Sequence, residues 1–134
     1  MSKIVIIGAG AMGSAFALPC LDNNHDINIV GTHLENDFID DLKKNDNLHP
    51  GLKTKIPKEI NIFKFAKFDE LLKSNVDLIV LGISSKGIEW VSDQIYRLYK
   101  DKKAPKLLML TKGLSIYNNN YELLVDKLER LLKS

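Results

Sequence analysis

Three glycines near the N-terminus, Gly8, Gly10 and Gly13, have the spacing G-x-G-x-x-G and could hold a phosphate group. The first would allow a tight turn without a Cβ clash, and the second would let a bound group approach the backbone closely. The third would let a new helix pack against the preceding strand. Free N–H groups at the start of that helix would point at one place, where the helix dipole favours an anion. The pattern therefore predicts a site for the pyrophosphate of a dinucleotide, formed by Gly8, Gly10, Ala11, Met12 and Gly13.

The elements on either side of the glycines support this interpretation. Ile4 to Ile7 form an unbroken β-branched run, which fits a strand buried on both faces. Ser14 to Asn24 are compatible with a helix that Pro19 would kink or shorten, and Ile27 to Val30 read as a second strand. Together they make a βαβ unit of about 30 residues, the length that the motif requires. A strand–helix turn that binds nothing is the alternative.

The end of the second strand does not choose between NAD and NADP. Folds that use NAD often place Asp or Glu there to bind the ribose hydroxyls. Here the residues are Gly31, Thr32 and His33, so the expected position carries neither a carboxylate nor an arginine. Thr32 could donate to a ribose oxygen or to a 2′-phosphate, and Glu35 is close but lies on the far side of the turn.

The rest of the chain alternates between helical and strand patterns. We predict a helix at 36–45, a loop at 45–57, a strand at 61–65, a helix at 68–73, a strand at 76–83, a helix to about 100, a buried strand at 106–110, a turn at 118–120, a strand at 121–125 and a helix at 126–133. Trp90 and Tyr96 lie off the apolar stripe of their helix, and we expect them to pack partly against loops rather than to contact another domain. The pattern indicates an α/β fold, a Rossmann-like doubly wound, mostly parallel sheet with helices on both faces.

Ligands of such sheets bind beyond the carboxyl ends of the strands, where three loops converge in this chain. The first is the glycine loop, and the second could line the nicotinamide ribose and ring with Ser84 or Ser85 as hydrogen-bond donors. The third places Lys112 at the rim, where a lysine can bind a substrate phosphate or polarise a carbonyl. A solvated loop lysine is the alternative for Lys112.

Composition narrows the possible partners. The chain has 134 residues, enough for one domain, and its net charge of +2 with scattered lysines argues against a nucleic-acid surface. Cys20 is the single cysteine, so we expect it to pack as a small hydrophobe, with no disulfide. His25, His33 and His49 fall in predicted turns without metal-ligand spacing, so we assign them no catalytic role and expect no metal. No apolar run could span a bilayer and no signal peptide is apparent, which makes a cytoplasmic location our expectation.

Several segments together resemble the N-terminal domain of NAD(P)-dependent glycerol-3-phosphate dehydrogenase. They extend along nearly the whole chain: Gly8–Gly13, Val30–Thr32, His49–Leu52, Leu81–Ser85 and Thr111–Leu114. The Thr-Lys-Gly-Leu segment is the most discriminating of them. Gly31-Thr32 looks more like the archaeal-type members than those that carry an arginine after this strand.

The resemblance implies an oxidoreductase that reversibly reduces dihydroxyacetone phosphate, a small phosphorylated substrate, to sn-glycerol 3-phosphate with NAD or NADP. Lys112 matches the family lysine that contacts the substrate beside the nicotinamide. The proton-donating lysine of the family lies in a helical C-terminal domain. We therefore expect residues 1–134 to be a dinucleotide-binding domain, inactive alone, whose natural packing partner is that helical domain. A homodimer is compatible with the sequence.

Two other interpretations are open. Ketopantoate reductases begin with a very similar Gly-Ala-Gly-Ala-Met-Gly, but they typically have Gln-Asn-Gly where this chain has Thr111, Lys112 and Gly113. The chain could also be a stand-alone nucleotide-binding or redox-sensing module.

Overall fold

The strands and helices of this chain are taken from a computed structural model, which describes residues 2–110, 114–118 and 120–133. The strands are β1 (Lys3–Ile7), β2 (Asp26–Val30), β3 (Leu48–His49), β4 (Thr54–Lys55), β5 (Asn61–Phe63), β6 (Leu78–Leu81), β7 (Lys106–Met109), β8 (Leu114–Tyr117) and β9 (Asn120–Leu123). The helices are α1 (Ala11–Asp22), α2 (Asn36–Lys44), α3 (Phe68–Lys73), α4 (Ile88–Tyr99) and α5 (Leu124–Lys133), with single 3₁₀ turns at Phe65–Lys67 and Ser85–Gly87.

Five strands form one parallel sheet in the order β5-β2-β1-β6-β7. The first strand lies at its centre, where Ile6 pairs with Ile29 of β2 on one side and with Val80 of β6 on the other. The strand order therefore reverses at β1, which opens a crevice at the carboxyl ends of β1 and its neighbours. The predicted doubly wound α/β fold is confirmed. Two small antiparallel hairpins, β3–β4 and β8–β9, lie outside this sheet.

The sheet is buried on both faces, which explains the unbroken apolar run in β1. Val5 and Ile7 belong to the core layer that includes residues of α3, α4 and α5. Ile4 and Ile6 point the other way, into the layer that includes residues of α1 and α2. Because successive side chains of a strand alternate between faces, only a continuous apolar sequence fills both layers.

Residues 106–109 form the predicted strand, but the prediction that this strand is buried is wrong. Leu107 and Met109 pack against the core on the α4 side, whereas Lys106 and Leu108 are exposed. The reason is that β7 is the edge strand of the sheet, and the described residues leave the opposite face of Leu108 uncovered.

The first helix packs small side chains against the sheet. Its buried residues are Gly13, Ser14 and Ala17, whereas Met12 is 43% exposed. These small side chains let α1 lie close to the sheet. The helix continues through Pro19 to Asp22.

The two hairpins were only partly predicted. The β3–β4 hairpin lies within the predicted loop at 45–57. The β8–β9 hairpin turns at Asn118, which has a φ of 52° and begins the predicted turn. The predicted strand at 121–125 overlaps β9, whereas β8 was not predicted. None of the helices in the described ranges is long and apolar enough to cross a membrane.

Candidate functional site

A cleft of about 630 Å³ opens at the carboxyl ends of β1, β2 and β6. Its lining comes from the glycine loop, the loop after β2, the loop after β6 and the first turn of α4. The lining residues are Gly8, Gly10, Thr32, His33, Leu34, Glu35, Gly82, Ile83, Ser84, Lys86, Gly87 and Trp90. The position agrees with the general rule that open parallel sheets bind ligands at such a crevice.

On its inner side the glycine loop is packed against the ends of two strands. Gly8 has a φ of +112°, and a Cβ there would lie 2.4 Å from the carbonyl oxygen of Gly82. A Cβ on Gly13 would lie 2.9 Å from the carbonyl oxygen of Gly8, and one on Gly82 would lie 2.9 Å from the Cα of Gly13. The expected roles of Gly8 in the turn and of Gly13 in helix packing are confirmed. The matching role of Gly82 was not foreseen.

On its outer side the loop is open. Gly10 has φ −68° and ψ 178°, a conformation that any residue adopts. Among the described residues, no atom lies within 4 Å of where its Cβ would be. Neither backbone strain nor packing inside the described chain therefore requires glycine at this position. The next residue, Ala11, begins a 12-residue helix without an acidic residue in its first turn, which leaves the N-terminal end of the dipole for an anion.

The peptide units on either side of Ala9 are held by side chains from three elements. The Ala9 N–H donates to Glu35 Oε1 at 3.1 Å and to Oε2 at 3.2 Å. The Ala9 carbonyl accepts from His49 Nε2 at 2.9 Å and from Ser14 Oγ at 3.2 Å. The shape of the glycine loop is therefore fixed before any ligand arrives.

The hydrogen bonds of His49 define the tautomer of its ring. Its Nδ1 accepts hydrogen bonds from the N–H groups of Gly51 at 3.0 Å and Leu52 at 3.3 Å. Because Nδ1 is an acceptor, the proton is on Nε2, which donates to the Ala9 carbonyl. The side chain is 2% exposed and its ring lies 5.3 Å from that of Phe38. Sequence reasoning gave His49 no role, since only the folded chain brings the β3–β4 hairpin to the glycine loop.

The carboxylate of Glu35 also lies at the glycine loop, so the expectation that it stands on the far side of the turn is wrong. The N–H of Thr32 donates to Glu35 Oε1 at 2.9 Å, and the N–H of Glu35 donates to the Thr32 carbonyl at 3.0 Å. These two bonds close the turn, and the side chain folds back toward β1. The sequence did not reveal this hydrogen-bonded turn after β2, and so it did not reveal where the Glu35 carboxylate lies.

The other expected site residues divide into three groups. Thr32 and Ser84 line the cleft with Gly8 and Gly10. The exposed side chains of Ala11, Met12 and Ser85 lie outside its lining. Lys112 and its two neighbours fall outside the described residues.

An aromatic cluster forms the far wall of the cleft. The ring of Trp90 lies 4.8 Å from His33, 5.7 Å from Phe65 and 5.9 Å from Phe68. Trp90 therefore packs partly against loops, as expected, while Tyr96 is 49% exposed. The exposed imidazole of His33 covers one face of this cluster.

The single cysteine of the chain lies outside the lining of the cleft. Cys20 packs against the α1-side core as expected, and burial raises the pKa of its thiol, which keeps it protonated. Within residues 2–110, 114–118 and 120–133 no three His, Cys, Asp or Glu side chains come together in a way that could hold a metal ion.

A parallel sheet of this order with an open glycine loop at its switch point defines the nucleotide-binding domain of a dinucleotide-dependent enzyme. Residues 3–134 match the family model described as "NAD-dependent glycerol-3-phosphate dehydrogenase N-terminus". The chain belongs to this family.

Relatives and solved structures agree with the family. The chain is 30% identical to the NADP(+)-dependent glycerol-3-phosphate dehydrogenase of Archaeoglobus fulgidus, over 87% of this chain and 33% of that protein. It is 29% identical to glycerol-3-phosphate dehydrogenase [NAD(P)+] of Staphylococcus epidermidis, over 100% of this chain and 38% of that protein. The glycerol-3-phosphate dehydrogenase structure from Coxiella burnetii superposes with a TM-score of 0.76 at 19% identity, over 99% of this chain and 38% of that one.

The chain thus spans about a third of the length of these relatives. A nicotinamide dinucleotide as cofactor and membership of an oxidoreductase family are confirmed. Between the two enzyme families that the sequence left open, the family match decides for glycerol-3-phosphate dehydrogenase and against ketopantoate reductase.

Proposed function

We propose that this chain holds NAD or NADP as the cofactor-binding part of a glycerol-3-phosphate dehydrogenase. The whole enzyme would interconvert dihydroxyacetone phosphate and sn-glycerol 3-phosphate in the cytoplasm. When bound, the reduced cofactor supplies a hydride to the carbonyl carbon of the substrate. The residues of this chain bind and orient the cofactor for that step.

The open space at Gly10 carries the proposal. The fold itself does not require glycine at this position. A glycine there is explained if a bound group must come close to the backbone. N–H groups at the start of α1 would bind the pyrophosphate there, and Ser84 would donate to the nicotinamide ribose. Glu35 and His49 hold the N–H and the carbonyl of Ala9 in place before a ligand binds. Binding therefore loses less conformational entropy in the loop.

The substrate side of the proposal rests on the family resemblance. Lys112 matches the family lysine that contacts the substrate beside the nicotinamide. The proton-donating lysine of the family belongs to a helical domain, so we expect these 134 residues alone to leave dihydroxyacetone phosphate unreduced. Oxidation of NADH or NADPH by the purified chain in the presence of dihydroxyacetone phosphate would contradict this expectation.

Titration with NADH and with NADPH tests the cofactor-binding function. Trp90 is the only tryptophan of the chain and lines the cleft, so its fluorescence reports binding directly. We expect saturable quenching by at least one of the two dinucleotides. A folded chain that shows no quenching with either would refute the proposal.

The variant Gly10→Asp tests where the cofactor binds. The position has room and an ordinary backbone conformation, so the fold should persist. The new carboxylate would occupy the place of the pyrophosphate and repel it, so binding should be lost. Undiminished affinity in this variant would mean that the cofactor binds elsewhere.

A further inference from the structure

Glu35 is the one acidic side chain among the described residues that line the cleft. We propose that its carboxylate binds the hydroxyls of the adenosine ribose and makes this chain select NAD over NADP. The inference rests on the proposed function and names the cofactor that the proposed function leaves open.

The position of the carboxylate fits this role. It accepts the N–H of Ala9, two residues beyond the end of β1, and the N–H of Thr32, two residues beyond the end of β2. It therefore lies between the carboxyl ends of these two strands. In folds of this type that use NAD, an acidic residue at the end of the second strand often binds the adenosine ribose. Glu35 reaches that place by folding back over the turn.

The carboxylate has acceptor capacity left for a ligand. An ionised carboxylate offers about four acceptor positions. Two backbone N–H groups occupy the inner side, with the Ala9 N–H shared between Oε1 and Oε2. The side chain is half-buried and lines the cleft, so the remaining lone pairs are within reach of a bound ligand. The 2′- and 3′-hydroxyls of NAD are donors that match them.

A 2′-phosphate would meet the same carboxylate as a charge of about −1.5 to −2 that supplies almost no donors. The loop 31–36 contains no lysine or arginine that could offset this repulsion. Lys86, the one lysine among the described residues that line the cleft, follows β6, which lies on the opposite side of β1 from β2. The ring of His33 packs on Trp90. Like charges this close reduce affinity by at least about tenfold.

The test compares the affinities of the 134-residue chain for NADH and NADPH with those of Glu35→Gln, measured by Trp90 fluorescence. We expect the wild-type chain to bind NADH at least about tenfold more tightly. Glutamine keeps the size of the side chain but removes the charge and one acceptor oxygen. The variant should bind NADH more weakly and NADPH more tightly, which moves the ratio toward one.

Asp37→Asn is the matched control. Asp37 lies two residues after Glu35, and its side chain is exposed and outside the lining of the cleft. This substitution should leave the ratio unchanged. A second measurement needs no variant. Adenosine 5′-monophosphate should displace NADH from the wild-type chain more effectively than adenosine 2′,5′-bisphosphate does.

The outcomes separate this inference from the function on which it rests. Equal affinity of the wild-type chain for both dinucleotides, equal displacement by both nucleotides, or an unchanged ratio in Glu35→Gln overturns the inference and leaves the proposed function standing. Binding of neither dinucleotide overturns both.

Discussion

The inner and outer sides of the glycine loop use the same residue type for opposite reasons. On the inner side, Gly8, Gly13 and Gly82 stand so close together that any Cβ would meet backbone atoms at 2.4 to 2.9 Å. On the outer side, Gly10 faces open space. The inner glycines are required by the fold, and the proposed cofactor would account for the outer one. Stability and binding should therefore respond to mutation on different sides of one short loop.

The largest effect should come from Gly8→Ala. Alanine rarely adopts a φ of +112°, and its Cβ would lie 2.4 Å from the Gly82 carbonyl oxygen. We expect a loss of about 3 kcal/mol in the free energy of unfolding, or about 10 °C in the melting temperature. Thermal unfolding followed by circular dichroism measures both.

Gly10→Ala is the matched variant on the outer side. Its backbone conformation suits alanine, but Gly10 is the N-cap of α1 and alanine is a poorer N-cap than glycine, so the two effects oppose each other and stability should change by less than about 0.5 kcal/mol. Quenching of Trp90 fluorescence by NADH should nevertheless weaken. If the two alanine variants lose the same stability, the contrast between the two sides does not exist.

An intermediate effect is expected for His49→Ala, which removes a hydrogen bond to the glycine loop but leaves every glycine unchanged in the sequence. The variant would lose the bond to the Ala9 carbonyl and leave the N–H groups of Gly51 and Leu52 without their acceptor. We expect a loss of about 2 kcal/mol in urea unfolding, together with weaker NADH binding because the loop is no longer fixed. His25→Ala, at a half-buried histidine away from the cleft, should cost less and leave binding unchanged. Equal effects in the two variants would contradict the role of His49.

The smallest effect is expected far from the loop, at the ion pair between Arg97 and Asp69. The two carboxylate oxygens accept from the guanidinium at 2.7 and 3.0 Å, which lowers the pKa of Asp69. Because both side chains are nearly half exposed, the pair should contribute less than about 1 kcal/mol.

A lowered pKa in the folded state means that this contribution is present above the ordinary aspartate pKa of about 3.9 and is lost as the pH falls through the lowered value. Asp69→Asn should therefore reduce stability slightly at pH 7 and have no effect in strong acid. A comparison of urea midpoints at the two pH values measures this, and cofactor affinity should not change. An effect as large as that of His49→Ala would show that the surface matters as much as the loop.

Local patterns in the sequence predicted the centre of the sheet. The apolar run of β1, the spacing of the glycines and the βαβ length depend on residues close in the chain, and they anticipated the fold and the crevice. The burial of β7 was mispredicted because an apolar strand has the same sequence signature at an edge as in the middle of a sheet.

The parts of the site that sequence reasoning missed depend on contacts between distant residues. The position of Glu35 in the sequence, after the end of β2, does not reveal the turn that brings its carboxylate back to Ala9. His49 and Gly82 reach the glycine loop from other elements, and no local signal marks either of them.

The contact of Gly82 with Gly8 and Gly13 has a thermodynamic consequence. The cleft exists only when strand ends from distant parts of the chain have come together, so a ligand that touches them all binds the folded state alone. At a concentration a hundred times its Kd, such a ligand adds about 2.7 kcal/mol to the free energy of unfolding. The lifetime of the folded domain among proteases would then follow the supply of nicotinamide dinucleotide.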